Sequence, residues 1–300
     1  MGQSKRRGRA VIRKFLTAAV LALTGLGLVQ PAGADPLARS VFGAVPGPTG
    51  GAPVSIGFYS KGCVSGAVQL PESGPTWQAM RLSRNRNWGH PELVGFLIGL
   101  SQAARQVGWQ GLYIGDMGQP RGGPMTSGHA SHQSGLDADI WMLPPQSLQL
   151  SAAQREKISS QSVVNKAGTA PSGLWSGGHM AIMRAAARDP RVERIFVDPV
   201  AKVAMCQMET GDRTWLRKVR PLNGHDYHFH VRMACPAGSI CQQQDAPPPG
   251  DGCAEAAEWI KNRIDPGRVK PVPPDPNYRH PRSFRLSEMP RQCQVVATAR

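Results

Sequence analysis

The sequence predicts an α+β fold: a small antiparallel sheet flanked by helices, joined by long Gly- and Pro-rich loops and tied by three disulfides. Three observations carry this. Leu136 to Trp141 and His228 to Met233 alternate side-chain character with a period of two, as half-buried strands do. Leu93, Phe96, Leu97, Leu100 and Ala104 recur at helical spacing. The 300 residues include 34 Gly and 27 Pro, which favours turns over long regular elements and excludes a coiled coil or helical bundle, while 40% hydrophobic content supplies a real core.

Taken in chain order, Phe15 to Val29 is an apolar run too short for a bilayer span, and it follows Lys5, Arg6, Arg7, Arg9, Arg13 and Lys14. With the small-residue pattern Ala32-Gly33-Ala34, residues 1–34 read as a cleavable export signal. The mature chain then starts near Asp35 as a single domain, 35–300. Asp35 to Ser55, rich in Pro, Gly and Ala, is expected to wrap the surface or be partly mobile. Pro91-Glu92 opens the helix, with Arg105 in its last turn and Gly108 as its stop. Leu112-Tyr113-Ile114 reads as a buried strand leading into a loop from Gly115 through Gly128, of the kind that borders active sites. Leu136 to Trp141 is the next strand, Met180 to Ala187 a helix, Arg194 to Val197 a strand, and His228 to Met233 another. The segment from Val269 to Arg282 is dominated by Pro and is expected to be extended.

The formal charge of +15 falls to about +9 when the basic leader is removed. That excess suits an acidic polymer; no nucleic-acid motif accompanies it, and no transmembrane segment is expected after the leader. Six cysteines in an exported chain, none in a CxxC pair, favour disulfides over a zinc knot. Spacing supports only the local pair Cys235 with Cys241 and leaves the other pairings open.

Four of the eight histidines cluster beside strands: His129 and His132 in Ser127-Gly-His-Ala-Ser-His-Gln133, and His228 and His230 in His225-Asp-Tyr-His-Phe-His230. Residues two apart on a strand point the same way, so His228 and His230 can face a common centre that Asp139 faces from its own strand. Imidazoles and a carboxylate suit zinc, which in catalytic sites keeps one position for a water of pKa near ~7. Asp137 shares the polar face with Asp139, and spacing alone does not choose between them. His179 precedes a helix, His90 a Pro at a helix start, and His280 lies in the Pro-rich segment; these read as structural.

On these residues the chain resembles the penicillin-insensitive murein endopeptidases, zinc peptidases of the bacterial periplasm related to lysostaphin-type and D-Ala-D-Ala peptidases. The likeness covers Gly57-Phe-Tyr-Ser-Lys-Gly-Cys63, Trp77-Gln-Ala-Met-Arg-Leu-Ser-Arg-Asn-Arg-Asn-Trp-Gly-His90, Gln119-Pro-Arg-Gly-Gly-Pro-Met125, Ser127 to Gln133 and His225 to Arg232. It implies His132, Asp139 and His230 as ligands of one catalytic zinc, with His228 unligated as general base or oxyanion-stabilising cation. It further implies that His225 and His129 lie in the cleft as substrate-contacting or ligand-supporting groups, and that the disulfides are Cys63 with Cys293, Cys206 with Cys253 and Cys235 with Cys241. The related D-Ala-D-Ala dipeptidases place a Glu three residues before the third ligand; here that residue is Tyr227, so an imidazole must take the proton.

The activity implied is hydrolysis of the D-alanyl–meso-diaminopimelyl cross-link between peptidoglycan stem peptides, in the periplasm. No Ser-x-x-Lys occurs, so a β-lactam finds no such serine to acylate. Arg121 and Arg232 are candidates to meet diaminopimelate carboxylates, although an Arg on a strand is as often an ion-pair partner. Asp116 either orients a metal ligand or caps its loop. The competing readings are a carboxypeptidase trimming a different stem-peptide bond, and a catalytically silent wall-binding protein.

Overall fold

The structure, a computed structural model, describes residues 35–299; the expected leader lies outside the described residues. Short helix α1 (Ala38–Gly43) comes first, followed by the hairpin β1 (Val54–Phe58) and β2 (Lys61–Ser65). Two-residue β3 (Val68–Gln69) precedes β4 (Ser73–Gly74), β5 (Trp77–Ala79) and β6 (Trp88–Gly89), which pairs back on β3. Helix α2 (Pro91–Ala104) then leads to β7 (Leu112–Ile114) and β8 (Asp137–Trp141). Helices α3 (Ala152–Lys157) and α4 (Gly177–Arg188) precede β9 (Val192–Val197), and α5 (Pro199–Met208) precedes β10 (Val219–Pro221) and β11 (His228–Met233). β12 (Ile240–Cys241), α6 (Cys253–Ile264) and α7 (Arg291–Thr298) complete the chain.

The fold class is α+β, with a mostly antiparallel sheet that is larger than expected. Its seven strands run β10-β9-β11-β8-β7-β5-β4, and β10–β9 and β5–β7 pair in parallel. The extra strands are two or three residues long, too short to show a period in sequence.

Helix α2 forms where the spacing predicts. Pro91 occupies its first turn, the His90 side chain accepts a hydrogen bond from the Glu92 N–H, and Gly108 ends the following 3-10 turn at φ 82°, where a Cβ would be strained. Its apolar face, Leu93, Phe96, Leu97 and Leu100, joins Leu112, Ile114, Ile140 and Phe229 from the sheet in the main core. Helix α4 packs on α2 and β9.

A second, smaller core corrects the reading of Asp35 to Ser55 as surface wrapping. Ala38 and Phe42 of α1 are buried with Ile56, Met289, Val296, Ala297 and the Cys63–Cys293 disulfide. The other disulfides, Cys206–Cys253 and Cys235–Cys241, are also the pairs the resemblance implied. No helix among the described residues is long and apolar enough to cross a membrane.

Candidate metal centre and cleft

The centre is built on one face of the β8–β11 ladder, where three cross-strand pairs stack in register: Arg232 opposite Asp137, His230 opposite Asp139, and His228 opposite Trp141. The first pair is buried and closed. Arg232 donates to both Asp137 oxygens at 2.8 and 3.2 Å, and its guanidinium lies 4.1 Å from the Tyr59 ring centroid. Asp137 is thus committed to structure, with its carboxyl far below the usual range because Arg232 and His230 outweigh the effect of burial. Arg232 is likewise an ion-pair partner within the sheet.

The middle pair gathers the metal-type donors. His132 Nε2 and His230 Nδ1 lie 3.3 and 3.2 Å from Asp139 Oδ1, and His129 Nδ1 lies 3.5 Å from Oδ2. His129, His132 and Asp139 present ligand atoms within 4.8 Å of one another, a group that could hold a metal ion. Two of the imidazoles are hydrogen-bonded on their other nitrogen, and the third lies beside a carboxylate. His132 Nδ1 donates to the Met117 carbonyl at 2.6 Å, His129 Nε2 is 3.0 Å from Asp116 Oδ2, and His230 Nε2 is 3.2 Å from Asp137 Oδ1. The hydrogen bonds behind His132 and His129 leave their inward nitrogens as lone pairs aimed at a carboxylate, and His132 Nε2, His230 Nε2 and Asp139 Oδ1 are buried without a hydrogen-bond partner. Facing acceptors in a buried site fit a cation between them. Nitrogen and carboxylate donors suit zinc better than magnesium or calcium.

The mouth pair borders a cleft of about 340 Å³ lined by Arg81, Arg84, Gly115, Asp116, His129, Asp139, Trp141, Ser159, Ser160, Tyr227 and His228. His228 Nε2 is 3.5 Å from Asp139 Oδ1, its Nδ1 has no partner, and burial lowers its basicity although Asp139 opposes this. His225 packs behind it at 4.8 Å between ring centroids, and burial lowers its pKa to about 4. Gly115 gives Trp141 its place: a Cβ there would meet the indole nitrogen at 3.0 Å and the Asp139 carbonyl at 3.2 Å.

The sheet and its flanking loops therefore bring together His129, His132, Asp139, His228 and His230, with Asp116 behind His129 and His225 behind His228. Asp116 also receives Arg84 at 3.0 Å and Arg86 at 2.9 Å, and these cations with His129 hold its carboxyl far below its ordinary pKa against the effect of burial. His129 stands closer to the donor group than a supporting role implies. Arg121 requires correction. Its buried guanidinium donates to the carbonyls of Val296, Ala297 and Ala299 at 2.9, 3.4 and 2.8 Å, capping the end of α7, and does not line the cleft. Sequence reasoning missed Arg81, Arg84, Ser159 and Ser160. The two arginines lie within the Trp77 to His90 segment, where no periodicity separates a cleft-facing Arg from a surface one.

A sequence profile described as penicillin-insensitive murein endopeptidase matches residues 55–298. The chain belongs to the penicillin-insensitive murein endopeptidase family. Similar proteins bearing that name include one from Haemophilus influenzae, 41% identical over 226 residues (74% of this chain, 79% of the relative). One from Klebsiella pneumoniae is 40% identical over 273 residues (90% and 95%), and one from Salmonella newport 40% over 264 (87% and 92%). The family match includes the ladder, the cleft and all three disulfides.

Proposed function

We propose that the chain is a zinc-dependent murein DD-endopeptidase that hydrolyses the D-alanyl–meso-diaminopimelyl cross-link, exported to the periplasm as residues 35–300 after removal of 1–34. The observation that carries the metal reading is that His132 and His129 are hydrogen-bonded from behind, each with its free nitrogen turned toward Asp139, where His132 Nε2 and Asp139 Oδ1 face one another unpartnered. His132, Asp139 and His230 are the ligands, and His129, the most exposed of the group at 23%, approaches from the solvent side, where it can yield to water or substrate. A zinc ion held there would lower the pKa of a water toward ~7 and would polarise the scissile carbonyl.

The chain's own groups do the rest. Asp116 fixes the tautomer of His129, and the Met117 carbonyl fixes that of His132. Burial opposes protonation of His228, which favours the base role over the cation role: it accepts the proton released as water adds to the carbonyl and returns it to the departing amine. Tyr227 supplies no carboxylate for this task.

Purified cross-linked muropeptide dimers test the proposal. The mature protein converts them to monomers, chelation stops this and zinc restores it. His228→Ala lowers kcat by 10²- to 10⁴-fold while binding zinc as the parent does. Release of alanine alone would move the assignment to a carboxypeptidase. Intact dimers with zinc still bound would leave a wall-binding protein.

A further inference from the structure

With Arg121 and Arg232 both committed to structure, the cleft's cations are Arg81 and Arg84, on either side of a single 3-10 turn (Leu82–Arg84). They are not equivalent. Arg84 is held by Asp116 at 3.0 Å, a carboxylate it shares with Arg86. Arg81 pairs with no carboxylate among the described residues; its Nη2 donates to the Ser159 hydroxyl at 2.8 Å, and its guanidinium lies 5.9 Å from the Trp141 ring centroid.

The turn that carries Arg81 is strained and anchored. Arg81 and Asn85, which bracket it, both have left-handed backbones, φ 57° and 50°, at non-glycine residues. Glu156 of α3 accepts from the Ser83 N–H and hydroxyl at 2.8 and 2.9 Å, and Asn85 Oδ1 accepts from the Trp88 indole at 2.7 Å. A strained conformation held from two sides keeps Arg81 in place and limits the entropy lost when it binds. The ladder also sets its place. Trp141 and Asp139 share one strand face two residues apart, roughly 7 Å, and Arg81, Trp141 and Asp139 line one cleft, so Arg81 borders the His–Asp centre from the Trp141 side.

We propose that Arg81, aided by Ser159 and stacked beside Trp141, binds the carboxylate on the carbon that carries the scissile nitrogen, and so makes the enzyme selective for cross-links whose diaminopimelate is not amidated at that centre. The proposal rests on the endopeptidase reading. A planar guanidinium with an unpaired charge matches a carboxylate through two parallel hydrogen bonds, whereas a carboxamide offers one acceptor and no charge. In the cross-link this carboxylate lies three bonds from the scissile carbonyl carbon, so the cation that holds it must line the same cleft as the His–Asp centre, as Arg81 does.

The test compares two purified dimers, identical except that this carboxylate is free in one and amidated in the other, with wild type, Arg81→Gln and Arg81→Lys. Wild type is expected to favour the free dimer by about 10- to 100-fold in kcat/KM. Arg81→Gln brings the two dimers within about twofold, by raising KM for the free dimer far more than for the amidated one. Arg81→Lys keeps the charge without the fork and falls between; if Arg81→Gln does not fold, it carries the comparison alone. Equal cleavage of both dimers by wild type, or a preference undiminished in the variants, overturns the assignment of Arg81 and leaves the endopeptidase reading intact. Cleavage of neither dimer by wild type sinks both.

Discussion

His132 carries its imidazole on a left-handed backbone, φ 66°, an uncommon conformation for a side chain branched into a ring. The cost is offset locally: its N–H donates to Asp137 Oδ2 at 2.9 Å and its ring to Met117. None of this is visible in Ser127 to Gln133 as a string of letters. What alternation could reveal was limited to strands, and there Asp139, His228 and His230 do share one face of the ladder. His129 sits in a loop with no period, so its closeness to Asp139 emerges only from the fold. Arg121 shows the converse limit, because an Arg that caps a helix and one that faces a cleft look alike in sequence. Arg121→Ala is therefore expected to cost about 2–4 kcal/mol of stability, since three carbonyls at the end of α7 lose a charged donor. KM for muropeptide dimers should stay unchanged. Thermal unfolding and Michaelis kinetics on one preparation check both halves; a raised KM without loss of stability would return Arg121 to the cleft.

Among the elements, α2 was legible because its start, face and stop all carry signals. Helices α5, α6 and α7 carry fewer: α6 buries only Ala256 fully, so it shows little apolar stripe, and the Cys206–Cys253 disulfide that binds it to α5 joins residues far apart in sequence. Between these helices lies a second consequence of burial. Lys202 of α5 is fully enclosed, its ammonium donates to the Leu216 carbonyl at 2.7 Å, and desolvation lowers its pKa to about 7. With the folded pKa below the unfolded one, the unfolded chain holds more protons between about pH 7 and 10.5, so stability rises with pH across that window. Replacing the lysine by Met removes this dependence. Calorimetry of wild type and Lys202→Met at pH 6 and pH 9 should show the variant's relative stability falling by about 3 kcal/mol at the higher pH. A difference that does not change with pH would mean the ammonium finds water.

At the scale of the whole molecule, the two larger of three apolar clusters divide the work. The main core supports the seven-stranded sheet and hence the site, whereas the second joins α1, the first hairpin and α7 around Cys63–Cys293. The second core was hidden because its residues come from segments that look loop-like singly and become apolar only together. The bridge spans 230 positions, so its removal in Cys63→Ser/Cys293→Ser frees loop entropy on the order of 5 kcal/mol in the unfolded chain. The melting temperature should drop sharply while kcat of the molecules still folded holds near the parent value, because no group of the ladder belongs to this core. Loss of kcat at temperatures where the variant is fully folded would show that the second core shapes the cleft.

The stacked pairs of β8 and β11 also behave like a reading frame. One residue inserted in either strand would turn the groups beyond it to the opposite face, moving Asp139 from beside His230 and setting Ala138 or Ile140 in its place. An insertion in the loops between these strands shifts nothing in the ladder. Variation in length among proteins that keep this chemistry should therefore gather outside those eleven residues and leave their spacing intact.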